Sequence, residues 1–173
     1  MRKTIFSLLA FSLCLVFAQV NGQERTVELE GVTVSPFNLE YEYAVVDPEM
    51  PESVQELQRK VARFDVTEMP SYNGRFEAYE VLFEQDNGSI IATYDGDGKI
   101  TESLERFKDI ALPPAIRNHI YENNPGWTIH KDIYMISYYD DKDVQKTCKV
   151  QLRKDGQKRN LKINVSNLNQ SSK

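Results

Sequence analysis

The chain has 173 residues, 40% hydrophobic and 27% charged, with a formal net charge of −5. That length fits one domain after allowance for a leader, and the acidic balance argues against nucleic acid as a partner. Two cysteines, one of them in the leader, exclude an internal disulfide framework and a cysteine metal cluster.

Arg2 and Lys3 precede an uncharged apolar run from Ile5 to Phe17. Val16 with Ala18, or Val20 with Gly22, supplies the spacing at which leaders are cut. Residues 1–22 therefore read as a signal peptide, cleaved after Ala18 or Gly22, and the mature protein is expected in the periplasm or outside the cell. Leu13 before Cys14 is too large for a lipid-acceptor site. No later stretch is long and apolar enough for a transmembrane segment after cleavage. Removing the leader takes away two positive charges and leaves −7.

Residues 23–50 read as an N-terminal strand, from the alternation of Val27, Leu29, Val32 and Val34, and an extended lead-in punctuated by Pro36 and Pro48. Pro51 to Phe64 predicts a helix with Val54, Leu57, Val61 and Phe64 on one face. Glu52 and Glu56 lie near its positive end, and Arg59, Lys60 and Arg63 near its negative end. Three strands follow. Tyr79, Val81 and Phe83 share a face, as do Ile90, Ala92 and Tyr94, with Asn87-Gly88 as the hairpin signal. Gly96-Asp97-Gly98 turns the chain into the third, from Lys99 to Leu104. A second helix spans Pro113 to Asn123 and stops at Asn124-Pro125-Gly126. Three more strands are expected. Ile133 to Tyr139 is apolar on both faces and central. In the next, Cys148, Val150 and Leu152 point inward. The last follows the Asp155-Gly156 turn and carries Leu161, Ile163 and Val165. The tail, 167–173, reads as disordered.

The predicted class is α+β: two degenerate helix-plus-antiparallel-strands repeats, about 51–110 and 111–166, with the helices packed on one face of an antiparallel sheet. Tyr94-Asp95-Gly96-Asp97-Gly98-Lys99, then Leu112-Pro113-Pro114, then Asn124-Pro125-Gly126-Trp127 resemble the PepSY-like exported proteins of Bacteroidota, also described as β-lactamase-inhibitor-protein-like. The likeness covers roughly residues 51–163. It implies helix-on-sheet repeats, an envelope location and a binding or inhibitory role, and it supplies no catalytic residues. Its motifs are turns and helix ends, which bear on fold more than on function.

The residues point away from catalysis. Asp95 and Asp97 lack the other ligands of a calcium loop, since Lys99 and Arg106 stand where acids are needed. His119 and His130 are the only histidines and lack zinc-binding company. Cys148 alternates with core residues and reads as packing. No phosphate-binding glycine loop or Gly-x-Ser-x-Gly motif exists. The expectation is no catalytic residue, no metal and no cofactor. The alternatives are an exported hydrolase built on Asp95, Asp97 and His119, and a structural envelope component.

Charge is unevenly spread. Eight basic and two acidic residues lie from Lys142 to Lys162, whereas residues 23–141 hold ten basic and 24 acidic ones. Lys149, Arg153 and Lys162 fall on the side of the last hairpin opposite its apolar set. They are the expected partner contacts, with Trp127 as an aromatic candidate. Two explanations fit the stripe: a solvated face charged against edge aggregation, or a dock for an acidic protein or anionic envelope component. The function read from the sequence is an exported, non-catalytic protein-binding module, with inhibition of an envelope enzyme as one form it could take. The oligomeric state is left open.

Overall fold

A computed structural model of the protein describes residues 38–168. The expected signal peptide, the strand over 27–34 and the tail from 169 onward lie outside them. Four α-helices and a 3-10 turn (Val66–Glu68) accompany the sheet among the described residues: α1 (Leu39–Val45), α2 (Glu52–Ala62), α3 (Pro114–Asn123) and the single turn α4 (Val165–Leu168). The strands are β1 (Ala78–Gln85), β2 (Gly88–Asp95), β3 (Ile100–Lys108), β4 (Thr128–Tyr139), β5 (Lys142–Lys154) and β6 (Gln157–Asn164). All six form one antiparallel sheet in chain order. The class is α+β, and the order helix, three strands, helix, three strands is present in one continuous sheet.

Pleating gives each strand two sides. One side of the sheet carries Tyr79, Phe83, Ile90, Ala92, Tyr94, Phe107, Tyr134, Ile136, Cys148, Val150, Leu152 and Ile163, all buried. They form one core with Tyr41 and Val45 of α1, Val54, Leu57 and Val61 of α2, and Ile116 and Ile120 of α3. Aromatic rings meet edge to face in it, Phe64 with Phe83 at 5.2 Å and Tyr41 with Tyr138 at 5.3 Å. The Tyr94 hydroxyl donates to the Val61 carbonyl at 2.8 Å, so its polar end is satisfied where α2 crosses the sheet.

Four local differences from the sequence reading have physical causes. Within the expected extended lead-in, residues 39–45 form α1. Asn38 holds its start in a left-handed conformation, φ 59°. The Asn38 amide donates to the Gly98 carbonyl at 3.1 Å, and its side-chain oxygen accepts from the Ile100 N–H. Residues 60 and 62 positions away thus fix the helix, which no local pattern reveals. β3 runs on to Lys108, because Ser103, Glu105 and Phe107 share the buried side and Leu104 faces out. Val165 leaves the last strand and opens α4, where the Asn164 side chain accepts from the Ser166 N–H at 3.1 Å.

The first hairpin turn is Asp86-Asn87 rather than Asn87-Gly88, since Gln85 already pairs with Gly88. Gly88 is required for another reason: a Cβ there would run into the Phe107 ring. Gly88→Ala is expected to destabilise the fold by about 1–3 kcal/mol through overpacking. Urea unfolding of the two proteins measures it, and an unchanged midpoint would show that Phe107 moves aside freely. The second hairpin matches its signal, with Asp155 at φ 48° and Gly156 at φ 77°.

Candidate functional site: the open face of the sheet

The sheet's second side lacks the buried array that the first shares with the helices. Its side chains form cross-strand rows. Leu82, Ile91 and Leu104 stand directly opposite one another on β1, β2 and β3, and continue to Ser137 on β4. These three are 55%, 36% and 45% exposed. They form a short exposed apolar strip on this side of the sheet. Half-buried Met135 and Ile133 carry the apolar strip onto β4.

Beyond the strip the face turns basic. Lys108, Ile133, Lys149 and Lys162 form one row across β3 to β6. In the adjacent row stand Lys131, Gln151 and Asn160, and further on Arg153 faces Lys158. Lys131, Ile133, Lys149, Gln151, Asn160 and Lys162 border an open recess of about 450 Å³. Lys149 sits directly opposite Lys162, an arrangement that repels. Among the described residues neither lysine, nor Lys131 or Arg153, forms an ion pair. The Gln151 amide donates to the Asn160 side-chain oxygen at 3.4 Å beside them. An unneutralised group of ammonium ions with neighbouring amides attracts carboxylates and other oxyanions.

The structure therefore brings Lys149, Arg153 and Lys162 onto one face, as their alternation implied. It places Trp127 elsewhere. That residue lies at the turn between α3 and β4, half-buried against the core. The Arg159 guanidinium stands 4.4 Å over its ring and donates to the Asn124 side chain at 2.9 Å. Arg159 is opposite Leu152 and so belongs to the helix-covered side. Lys108 and Lys131 join the basic group without any local signal in the sequence. Only the pairing of β3 with β4, and the register shift between Ile129 and Lys131, bring them alongside β5.

Among the residues of the hydrolase alternative, Asp95 has a structural task. The Asp95 carboxylate accepts from the N–H groups of Asp97 and Lys99, both at 2.9 Å, and so shapes the turn between β2 and β3. His119 is on α3. Among the described residues no three His, Cys, Asp or Glu side chains gather to hold a metal. Cys148 is fully buried, and burial pushes its thiol up to about 12. A thiol of that kind is a poor nucleophile.

One buried constellation stands apart from the surface. Glu105, 3% exposed, points from β3 into the core. Its carboxyl accepts from the Tyr41 hydroxyl at 2.9 Å, the Gln58 amide at 2.7 Å and the Ser103 hydroxyl at 3.3 Å. Burial raises its pKa to about 7, against the lowering effect of these hydrogen bonds and of Lys146. Asp132, also buried, is raised to about 6 by burial, opposed by a bond from the Ile110 N–H. Glu105 joins α1, α2 and the sheet and has no route to the open face, so its task is to position the helices.

No family model, curated protein or solved structure matches this chain. No helix among the described residues is long and apolar enough to cross a membrane.

Proposed function

We propose that the protein is an exported, non-catalytic binding module that docks a partner protein on the open face of its sheet. The observation carrying this reading is the pairing of an exposed apolar row, Leu82-Ile91-Leu104, with the unneutralised lysines around the recess. An apolar centre beside a charged rim is the make-up of a protein interface. A partner with carboxylates next to an apolar patch fits it, and an anionic envelope surface would use the lysines alone. The repeated order of one helix and three strands supports kinship with the PepSY-like exported proteins, whose presumed role is binding or inhibition. Export follows from the charged start and apolar run of residues 1–22.

The test is capture from the native envelope by the wild type and by a Lys149→Glu, Arg153→Glu, Lys162→Glu variant. Losing two ammonium groups and one guanidinium and adding repulsion is expected to weaken capture by at least about 100-fold. Thermal stability should hold, since Lys149 and Lys162 already repel across the strands. Undiminished capture by the variant would remove this surface from the interface. Binding to anionic lipid vesicles equal to that of the partner would favour the envelope surface over a protein.

A further inference from the structure

The open face is divided in charge as well as in polarity. Glu80 and Glu84 on β1 and Glu102 on β3 hold one corner of it, beside the Leu82-Ile91-Leu104 row. Lys131, Lys149, Arg153 and Lys162 hold the diagonally opposite corner. Among the described residues none of these seven forms an ion pair. Arg106, the charge nearest the middle, shares its row with Glu84, two strands away. Both halves of a complementary surface therefore stand on one chain.

We propose that a second copy of this chain docks on this face, so that each copy's basic corner covers the acidic corner of the other. A two-fold axis in the plane between two facing sheets, perpendicular to the diagonal joining the corners, produces that exchange. It makes every acid–base contact twice, as an isologous interface requires. The Leu82-Ile91-Leu104 row, which stands among the acidic side chains, then lies over the other copy's recess, where Ile133 and the aliphatic stems of Lys131 and Lys149 can cover it. The size is adequate. Six strands at about 4.8 Å spacing, with about eight residues at about 3.4 Å each, present a face of roughly 700 Å². Two such faces bury roughly 1,400 Å², within the range of stable interfaces. Facing sheets pack about 10 Å apart in ordinary sandwiches.

This inference goes beyond the partner reading and does not depend on it. Self-association would shield the apolar row until a better acidic partner displaces the second copy. Its test uses purified protein alone, so its failure leaves capture of another protein unaffected.

Sedimentation at about 50 mM and about 500 mM salt reads the oligomeric state, because screening weakens exposed charge contacts. A dimer at low salt that dissociates at high salt is expected. Lys131→Glu, Lys149→Glu, Arg153→Glu and Lys162→Glu together make both corners acidic, and Glu80→Lys with Glu102→Lys makes both basic. Each variant alone is expected to dimerise at least about 100-fold more weakly than the wild type. An equimolar mixture should restore a dimer of one copy of each, since every acidic corner again meets a basic one. None of the six substituted side chains is buried, and circular dichroism checks that both variants fold. A wild type that stays monomeric at low salt would overturn the proposal. So would variants that dimerise like the wild type, or a mixture that remains monomeric.

Discussion

Glu105→Ala is expected to destabilise the protein by about 3–5 kcal/mol at pH 5, through unpaired donors and a cavity together. The substitution removes the acceptor of three buried donors, the Tyr41 hydroxyl, the Gln58 amide and the Ser103 hydroxyl. A buried donor left without a partner costs about 1–3 kcal/mol. The missing side-chain volume adds a cavity where α1 and α2 meet the sheet. Urea unfolding at pH 5 measures the loss. A change below about 1 kcal/mol would mean that water enters and replaces the carboxyl. The same substitution should cost far less at pH 8, for a reason that belongs to the wild type.

The second prediction is that pH dependence. Glu105 titrates near 4.5 when unfolded and at about 7 in the fold, because burial disfavours its charge. The folded state therefore holds the proton more tightly. Its contribution to stability is complete below about pH 4.5 and is lost as pH rises through about 7. That displacement corresponds to about 3 kcal/mol. Asp132, raised from 3.8 to about 6, acts in the same direction over a lower window. The wild type should thus lose stability from about pH 4 to about pH 7.

Glu105→Gln should flatten the upper part of that profile and be the more stable protein at pH 8. Among the described residues the Gln58 side-chain oxygen has no partner, so its amide can turn over and accept from the new NH₂ group. Unfolding free energies at half-unit pH steps decide the matter. Parallel profiles for wild type and Glu105→Gln would show that Glu105 is not the group that titrates.

Much of the fold was legible in the sequence because it is locally written. The apolar period of Val54, Leu57 and Val61 gave α2 to within two residues at either end. Asp155-Gly156 marked its hairpin, since only such residues take two successive positive φ angles without strain. Alternation placed Cys148, Val150 and Leu152 inward and therefore Lys149 and Arg153 outward. The illegible parts depend on distant partners. The seven-residue α1 exists because Asn38 bonds to Gly98 and Ile100. Glu105 stands between Leu104 and Arg106, and neither neighbour marks it as buried. Its sharing of a face with Phe107, two positions on, was the only hint that β3 turns a carboxyl inward and a leucine outward.

The candidate site was half legible for the same reason. The basic side of β5 and β6 follows from alternation within one hairpin. The apolar row needs the register of three strands, and the recess needs β4 beside β5. Trp127 is an aromatic of the kind that anchors interfaces, yet Arg159 lies over its ring on the helix-covered side. Residue type alone does not say which face a side chain occupies.

The most direct test of the binding reading asks which face a partner touches. A photo-crosslinking residue would replace Leu104 or Lys149 on the open face, or Lys60 on α2, in protein produced in its own cells. The account predicts adducts with a distinct protein from Leu104 and Lys149 and none from Lys60. Adducts from Lys60 alone, or only adducts of the chain with itself, would contradict it.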